Sequence, residues 1–259
     1  MKNSKRRRPG GKQQVFSNSV PLKRQGDRIW LYGKHAVTAA LANPDREKHR
    51  LAITSADHTL YTGDVQTEIL ERQELETILP KNAVHQGVAL QVSPLQEPDL
   101  KQIISQTGEE SVIVALDQAS DPQNIGAVLR SAAAFGADAV IVQNRHTPEA
   151  TAALAKAASG ALEQVPFVRV TNLARSMKQL KDAEYWCAGM TADGTQTLVD
   201  ANLSGRTVLA LGAEGEGLRR LTRENCDFLI RIPIINNIDN QNLAATAAIS
   251  LYEIRRASL

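Results

Sequence analysis

The chain has 259 residues, 42% of them hydrophobic and 22% charged, with 16 glycines, 10 prolines and 2 cysteines. That is enough apolar material for one large domain or two smaller ones with real cores, and it excludes collagen-like, low-complexity and disulfide-stapled chains. The formal net charge of +2 hides an asymmetry: Lys2, Lys5, Arg6, Arg7, Arg8, Lys12, Lys23 and Arg24 put eight cations and no acid into the first 26 residues, which leaves a net −6 on residues 27–259.

Residues 1–27 lack hydrophobic periodicity and read as a disordered basic tail. A dense block such as Lys5, Arg6, Arg7 and Arg8 suits a nucleic-acid phosphate backbone through counterion release; a solubilising tail is the alternative. No apolar run approaches the roughly 20 residues of a membrane span, and the N-terminus has no apolar segment of the signal-peptide kind. Cys187 and Cys226 lack metal-type spacing and read as reduced, buried thiols of a cytoplasmic protein. The histidines (His35, His49, His58, His85 and His146) form no ligand cluster, so no metal is expected.

Globular patterning begins at Ile29. WLYGKHAVTAALANP predicts a short strand, then a helix with Ala36, Ala40 and Leu41 on one face, stopped near Asn43-Pro44. HRLAIT predicts a strand, and TEILERQELETILP has helical spacing through Ile69, Leu75, Ile78 and Leu79. GVALQV predicts another strand. Together these give a small α/β domain over residues 28–95. SPLQEPDLKQ, with two prolines and acidic residues, reads as the boundary to a second domain over residues 96–259.

That second domain alternates strands (SVIVAL, DAVIV, VPFVRV, YWCAGM, TVLAL, FLIRIPI) with helices starting at Pro122, Pro148, Asn172, Leu218 and Asn242. Asp121-Pro122 and Thr147-Pro148 each offer a capping side chain followed by proline at the first helical position. Such alternation predicts a mainly parallel sheet with helices on both faces. Ligands of such sheets gather at the carboxyl ends of the strands.

Three loops at those ends carry unusual residues. DPQNIGAVLR places Asn124 and Arg130 in the first turns of a helix, where an arginine fork can grip a phosphate or carboxylate. A surface arginine and a capping asparagine would explain the same residues. TVLALGAEGEGLRRL runs a buried strand into Gly212, Gly215 and Gly217, a G-x-x-G-x-G spacing that is not the dinucleotide fingerprint. Glu214 inside that turn would repel a pyrophosphate, so the expected ligand is a nucleoside without phosphates. RIPIINNIDNQNLAATAAISLYEI sets Asn236, Asn237, Asp239, Asn240, Gln241 and Asn242 before an alanine-rich helix that suits close packing or a dimer seam. Capping of that helix is the plain alternative role for Asn240.

In order, these segments resemble the three motifs of the SpoU (TrmH-type) RNA ribose 2′-O-methyltransferases, a branch of the SPOUT superfamily. The resemblance covers nearly all of the chain after residue 28. LYGKHAVTAAL and VHQGVAL are similar to the family's N-terminal substrate-binding domain, an α/β domain like ribosomal protein L30e. The two-domain form resembles the RlmB-like group that acts on large-subunit (23S-type) ribosomal RNA, a guanosine being favoured and transfer RNA being the alternative.

The resemblance implies a C-terminal α/β domain closed by a trefoil knot, a homodimer through that domain, and S-adenosylmethionine as methyl donor. It implies catalytic roles for Asn124, Arg130, Glu214 and Asn242. It implies donor contacts at Leu211, Gly212, Ala213, Glu214, Gly215, Ile232, Ile234, Asn240, Asn242 and Leu243, and RNA contacts at Arg130. Arginine is a poor general base, so Arg130 is read as orienting the phosphate and hydroxyl and stabilising developing negative charge. Where the family reads Ser-Leu-Asn, this chain has Asn240-Gln241-Asn242. An RNA-binding scaffold that has lost methyl transfer is the alternative which that departure leaves open.

Overall fold

The computed structural model describes residues 28–54, 61, 65–145, 147, 150–235 and 241–256. Lys5, Arg6, Arg7, Arg8 and Asn240 lie outside them.

The first 60-odd globular residues build a four-stranded sheet in the order β1-β4-β2-β3, from β1 (Ile29–Tyr32), β2 (Lys48–Ile53), β3 (Gln66–Ile69) and β4 (Val88–Val92). Helices α1 (Lys34–Ala42) and α2 (Arg72–Thr77) pack against it. The helix expected across TEILERQELETILP is a strand followed by a helix. Residues 66–69 extend the sheet as the parallel partner of β2, with Ile53 opposite Ile69. Ile69 is 55% exposed, whereas Leu75 is fully buried, so the two do not share one helical stripe. The helix waits for its start signal: Glu71 and Glu74 form a capping box, the Glu74 carboxylate accepting from Glu71 N at 2.8 Å.

Past β4 the stretch read as a boundary runs into α3 (Leu100–Gln106), started by Asp99, whose carboxylate accepts from Lys101 N at 3.2 Å. The chain then builds a seven-stranded parallel sheet, order β7-β6-β5-β10-β8-β11-β9. Its strands are β5 (Val112–Asp117), β6 (Ala139–Gln143), β7 (Phe167–Val170), β8 (Trp186–Met190), β9 (Gln196–Thr197), β10 (Thr207–Gly212) and β11 (Phe228–Arg231). Among the described residues five α-helices accompany them, α4 (Pro122–Ala134), α5 (Ala152–Ala158), α6 (Leu173–Asp182), α7 (Arg220–Glu224) and α8 (Leu243–Arg255), with a short 3-10 turn at Ala161–Glu163.

The central strands are apolar throughout because both faces are covered, and the period of two assigns each side chain to a layer. Val112, Val114 and Leu116 of β5 join Leu209 and Leu211 of β10 under α4, α5 and α8. The intervening Ile113, Ala115, Val208 and Ala210 pack with Leu173, Met177 and Leu180 of α6 on the other face.

Several helix starts differ from expectation. The helix expected from Pro148 begins at Ala152, because Thr151 is the cap and accepts from Leu154 N. Thr147 instead donates its hydroxyl to the Ala119 carbonyl at 3.1 Å. The helix expected from Leu218 begins at Arg220, and FLIRIPI is a strand only as far as Arg231. Cys187 is buried, but Cys226 is only half-buried.

A buried ion pair ties the two sheets' units together. Arg46 and Glu163 are 1% and 4% exposed and in contact, and Glu163 also accepts from Asn43 Nδ2 at 2.8 Å. The remaining guanidinium edge donates to the Ser93 carbonyl at 2.8 Å. Every charge in that knot of side chains is therefore paired and hydrogen-bonded, as burial demands.

Candidate active site

Strands β5 and β10 lie side by side, with Asp117 opposite Gly212 at their carboxyl ends. Each strand feeds a loop that carries one polar site residue. Beyond β5, Asp121 caps α4 by accepting from Gln123 N at 3.0 Å, and Pro122 supplies the fixed φ of its first position. Asn124 follows in the first turn.

The loop after β10 turns back sharply. Gly217 N donates to the Ala213 carbonyl at 2.9 Å. A Cβ on Gly212 would lie 2.0 Å from the Gly217 carbonyl carbon, so no other residue fits there. Gly215 and Gly217 have φ of 86° and 68°, left-handed values that close the turn. The turn presents the Glu214 side chain toward the start of α8.

Asn242 joins the two loops. Its Oδ1 accepts from Ala244 N at 2.9 Å and Ala245 N at 3.3 Å, which caps α8. With Oδ1 so engaged, Nδ2 faces the other way and donates to Asn124 Oδ1 at 3.0 Å and Glu214 Oε1 at 2.9 Å. Leu243 N adds a longer contact to the same Glu214 oxygen at 3.4 Å. The cap is therefore Asn242, which excludes the alternative that Asn240 fills that role. A cap must sit one residue before the helical φ/ψ run, and that run begins at Leu243.

Arg130 is placed differently from the expectation. It is the ninth residue of α4, not part of its first turns, and it is exposed. At 100° per residue the six positions from Asn124 turn it to another side of the helix and carry it about 9 Å along the axis. It makes no hydrogen bond or ion pair among the described residues.

Beside the Asn124–Asn242–Glu214 cluster is a cleft of about 350 Å³. Leu211, Gly212, Ala213, Glu214, Gly215, Ile232, Ile234, Asn242 and Leu243 all line it, and Asn124 and Arg130 do not. Gly217 and Gln241, already singled out by their loops, also line it, whereas sequence reasoning missed Met190, Thr191, Ala192 and Thr246, which complete the lining. Residues 190–192 leave the carboxyl end of β8, so the strand-end rule points to them once β8 is known to neighbour β10. Gln241 Oε1 is buried and has no hydrogen-bond partner among the described residues. A buried acceptor of this kind is costly unless a ligand satisfies it. The cleft thus combines aliphatic walls, backbone brought close by glycine and one carboxylate, in a volume that suits a single small ligand.

Comparison with known proteins gives two family matches. The SpoU rRNA methylase family matches residues 111–252, and the RNA 2′-O ribose methyltransferase substrate-binding family matches residues 30–98. The 23S rRNA (guanosine-2′-O-)-methyltransferase RlmB of Escherichia coli K12 is 38% identical over 238 residues, covering 87% of this chain and 97% of that protein. The protein of the same name from Pseudomonas aeruginosa is 36% identical over 236 residues, covering 87% and 95%. Among solved structures, the SpoU methyltransferase AviRb from Streptomyces viridochromogenes, in complex with the cofactor AdoMet, has a similar fold. Its TM-score is 0.77 at 24% identity, over 89% of this chain and 90% of that one.

Proposed function

The chain belongs to the SpoU rRNA methylase family, and we propose that it transfers a methyl group from S-adenosylmethionine to a ribose 2′-hydroxyl of large-subunit ribosomal RNA, a guanosine being the nucleotide modified. One observation carries the chemistry: a single side chain, Asn242, holds both Asn124 and Glu214 at the rim of a nucleoside-sized cleft. The choice of substrate is supported by the relatives of that named activity, similar over 87% of the chain.

The cleft's residues fit the donor. Leu211, Ile232, Ile234 and Leu243 offer aliphatic contact to a nucleoside, and Gly212 admits it to the backbone. Gln241 Oε1 offers an acceptor unused among the described residues. Glu214 disfavours phosphates and favours a cationic ligand. When bound, S-adenosylmethionine supplies a methyl group on a positively charged sulfur. The chain's own residues then have two tasks, which are to hold the reactants in line and to meet the charge that develops on the ribose oxygen.

Asn242 fixes the loop around the donor and keeps Glu214 and Asn124 in place. Arg130 orients the substrate phosphate and hydroxyl. It does not line its own chain's cleft, so in this reading it serves the cleft of a second copy, in a homodimer built through the catalytic domain. Exposed Ile249 and Tyr252 on α8 support such a seam. Residues 28–95 form the RNA-recognition domain and residues 96–259 the methyl-transfer domain, with a trefoil knot as the family membership implies. The basic tail with Lys5, Arg6, Arg7 and Arg8 adds phosphate contacts, and the enzyme works in the cytoplasm on ribosomal RNA. No described helix is long and apolar enough to cross a membrane.

The test is to incubate the protein with transcribed large-subunit ribosomal RNA and methyl-labelled donor, then digest the product. Label in alkali-resistant dinucleotides marks ribose methylation. Label in bases would replace this reading with base methylation, and no label would favour a binding scaffold.

A further inference from the structure

Asp117 ends β5, and its side chain is fully buried. A buried carboxylate needs a paired, hydrogen-bonded partner. Here Arg219 supplies it. Arg219 N donates to Asp117 Oδ2 at 2.9 Å, its Nε–H donates to Oδ1 at 2.7 Å, and Nη2 stands 2.7 Å from Oδ1. The arginine side chain nevertheless remains 42% exposed, and Nη1 has no partner among the described residues.

Its neighbours differ in a telling way. Arg220 pairs with Glu224, and Arg223 forks onto Asp193, both acids being more than half exposed. Those pairs can rearrange with solvent. Arg219 cannot, because its anchor is inside the protein. Its rotamer freedom is already lost on folding, which leaves a rigid guanidinium edge facing outward.

Arg219 does not itself line the cleft but adjoins residues that do. Asp117 is the register partner of Gly212, and Gly217, two residues before Arg219, lines the cleft. Glu214 and Glu216 on the same turn are exposed. A phosphate approaching this rim meets two carboxylates and needs a fixed cation beside them.

We propose that Arg219, held in one pose by the buried Asp117, is an RNA-contact residue whose free Nη1 edge takes a phosphate oxygen of the substrate strand next to the modified ribose. This rests on the methyltransferase reading above. The anchor distinguishes it from a flexible surface cation: the hydrogen-bonding direction is set before RNA arrives.

The full chain is tested as Arg219→Lys and as the double variant Asp117→Asn/Arg219→Gln, which removes both charges and leaves no buried ion unpaired. Binding of transcribed large-subunit ribosomal RNA is measured over a range of salt, and S-adenosylmethionine binding by calorimetry. Both variants should bind RNA about tenfold more weakly, the loss expected for one hydrogen bond to a charged group, with donor affinity unchanged. The salt slope of the double variant should fall by about 0.7–0.9, one phosphate contact. Wild-type RNA affinity and slope in both variants would overturn the proposal. So would a fall in donor affinity that keeps step with the loss of RNA binding, which marks a staple for the turn. A wild type that binds no donor removes the methyltransferase premise and the proposal with it, an outcome distinct from failure of Arg219 alone.

Discussion

Asn242 does two separable things, and substitutions can divide them. Its Oδ1 caps α8, while its Nδ2 donates to Asn124 and Glu214. Asn242→Asp keeps the capping oxygen, and a negative group suits a helix N-terminus by about 0.3–1 kcal/mol. It loses both Nδ2 bonds and sets a carboxylate where 2.9 Å separated Nδ2 from Glu214 Oε1. Both residues are exposed, so the repulsion takes the solvent-screened end of the range, about 1–2 kcal/mol. A lost bond to a charged acceptor adds about 1.5–3 kcal/mol. Together they amount to about 3 kcal/mol against the geometry proposed to hold the donor, or roughly a hundredfold in affinity.

Asn242→Ala does the reverse to the helix: it removes the cap at about 1 kcal/mol, which is about 2–4 °C in melting temperature for a chain of this size. It loses the same two Nδ2 bonds but introduces no repulsion. The two variants should therefore rank oppositely. Asp is worse in calorimetric binding of S-adenosylmethionine, and Ala is worse in thermal melting. The same rank in both assays, or wild-type donor binding in the Asp variant, would refute the division of roles.

Arg130→Lys keeps the cation and loses the fork; methyl transfer should fall by at least about a hundredfold with donor binding retained, read from single-turnover rates and calorimetry. Glu163→Gln leaves Arg46 buried without its counter-ion and should cost about 3–5 kcal/mol in chemical denaturation, far more than Glu224→Gln on the surface. Burial pushes both thiols up from an ordinary value of 9.0 to about 12. Native protein at pH 8 should thus react slowly with a thiol reagent and quickly once unfolded. Because the folded values are raised, the stability that the neutral thiols contribute is complete below about pH 9 and is lost as pH climbs toward about 12, which pH-dependent melting would follow. Deleting residues 1–26 removes eight cations; RNA binding should weaken and its salt slope flatten while the melting temperature stays put.

The central sheet was legible because β5, β6 and β10 are buried on both faces, and such strands read as continuous apolar runs. Edges were harder. Residues 66–69 look helical until β2 offers them a parallel partner, a tertiary choice that local spacing cannot contain. Glu214 stood out as an acid inside a glycine turn. The cap of α8 did not, since Asn240 and Asn242 are chemically equivalent and only the phase of the helix selects Asn242. Arg130 went astray through the same arithmetic, because six residues take it around α4 as well as along it. Met190, Thr191 and Ala192 reach the cleft only through the crossover that places β8 beside β10. Arg46 and Glu163 meet across 117 positions of sequence, and nothing local to either announces the other.

Methyl transfer to a ribose hydroxyl of large-subunit ribosomal RNA is the claim on which the rest depends. Mass spectrometry of nucleosides released from transcribed RNA after incubation with the protein and S-adenosylmethionine tests it directly. One new 2′-O-methylated nucleoside, a guanosine, should appear, depend on the donor and disappear in the Arg130→Lys protein. RNA returned without any ribose methylation, from a protein shown to bind both RNA and donor, would contradict it.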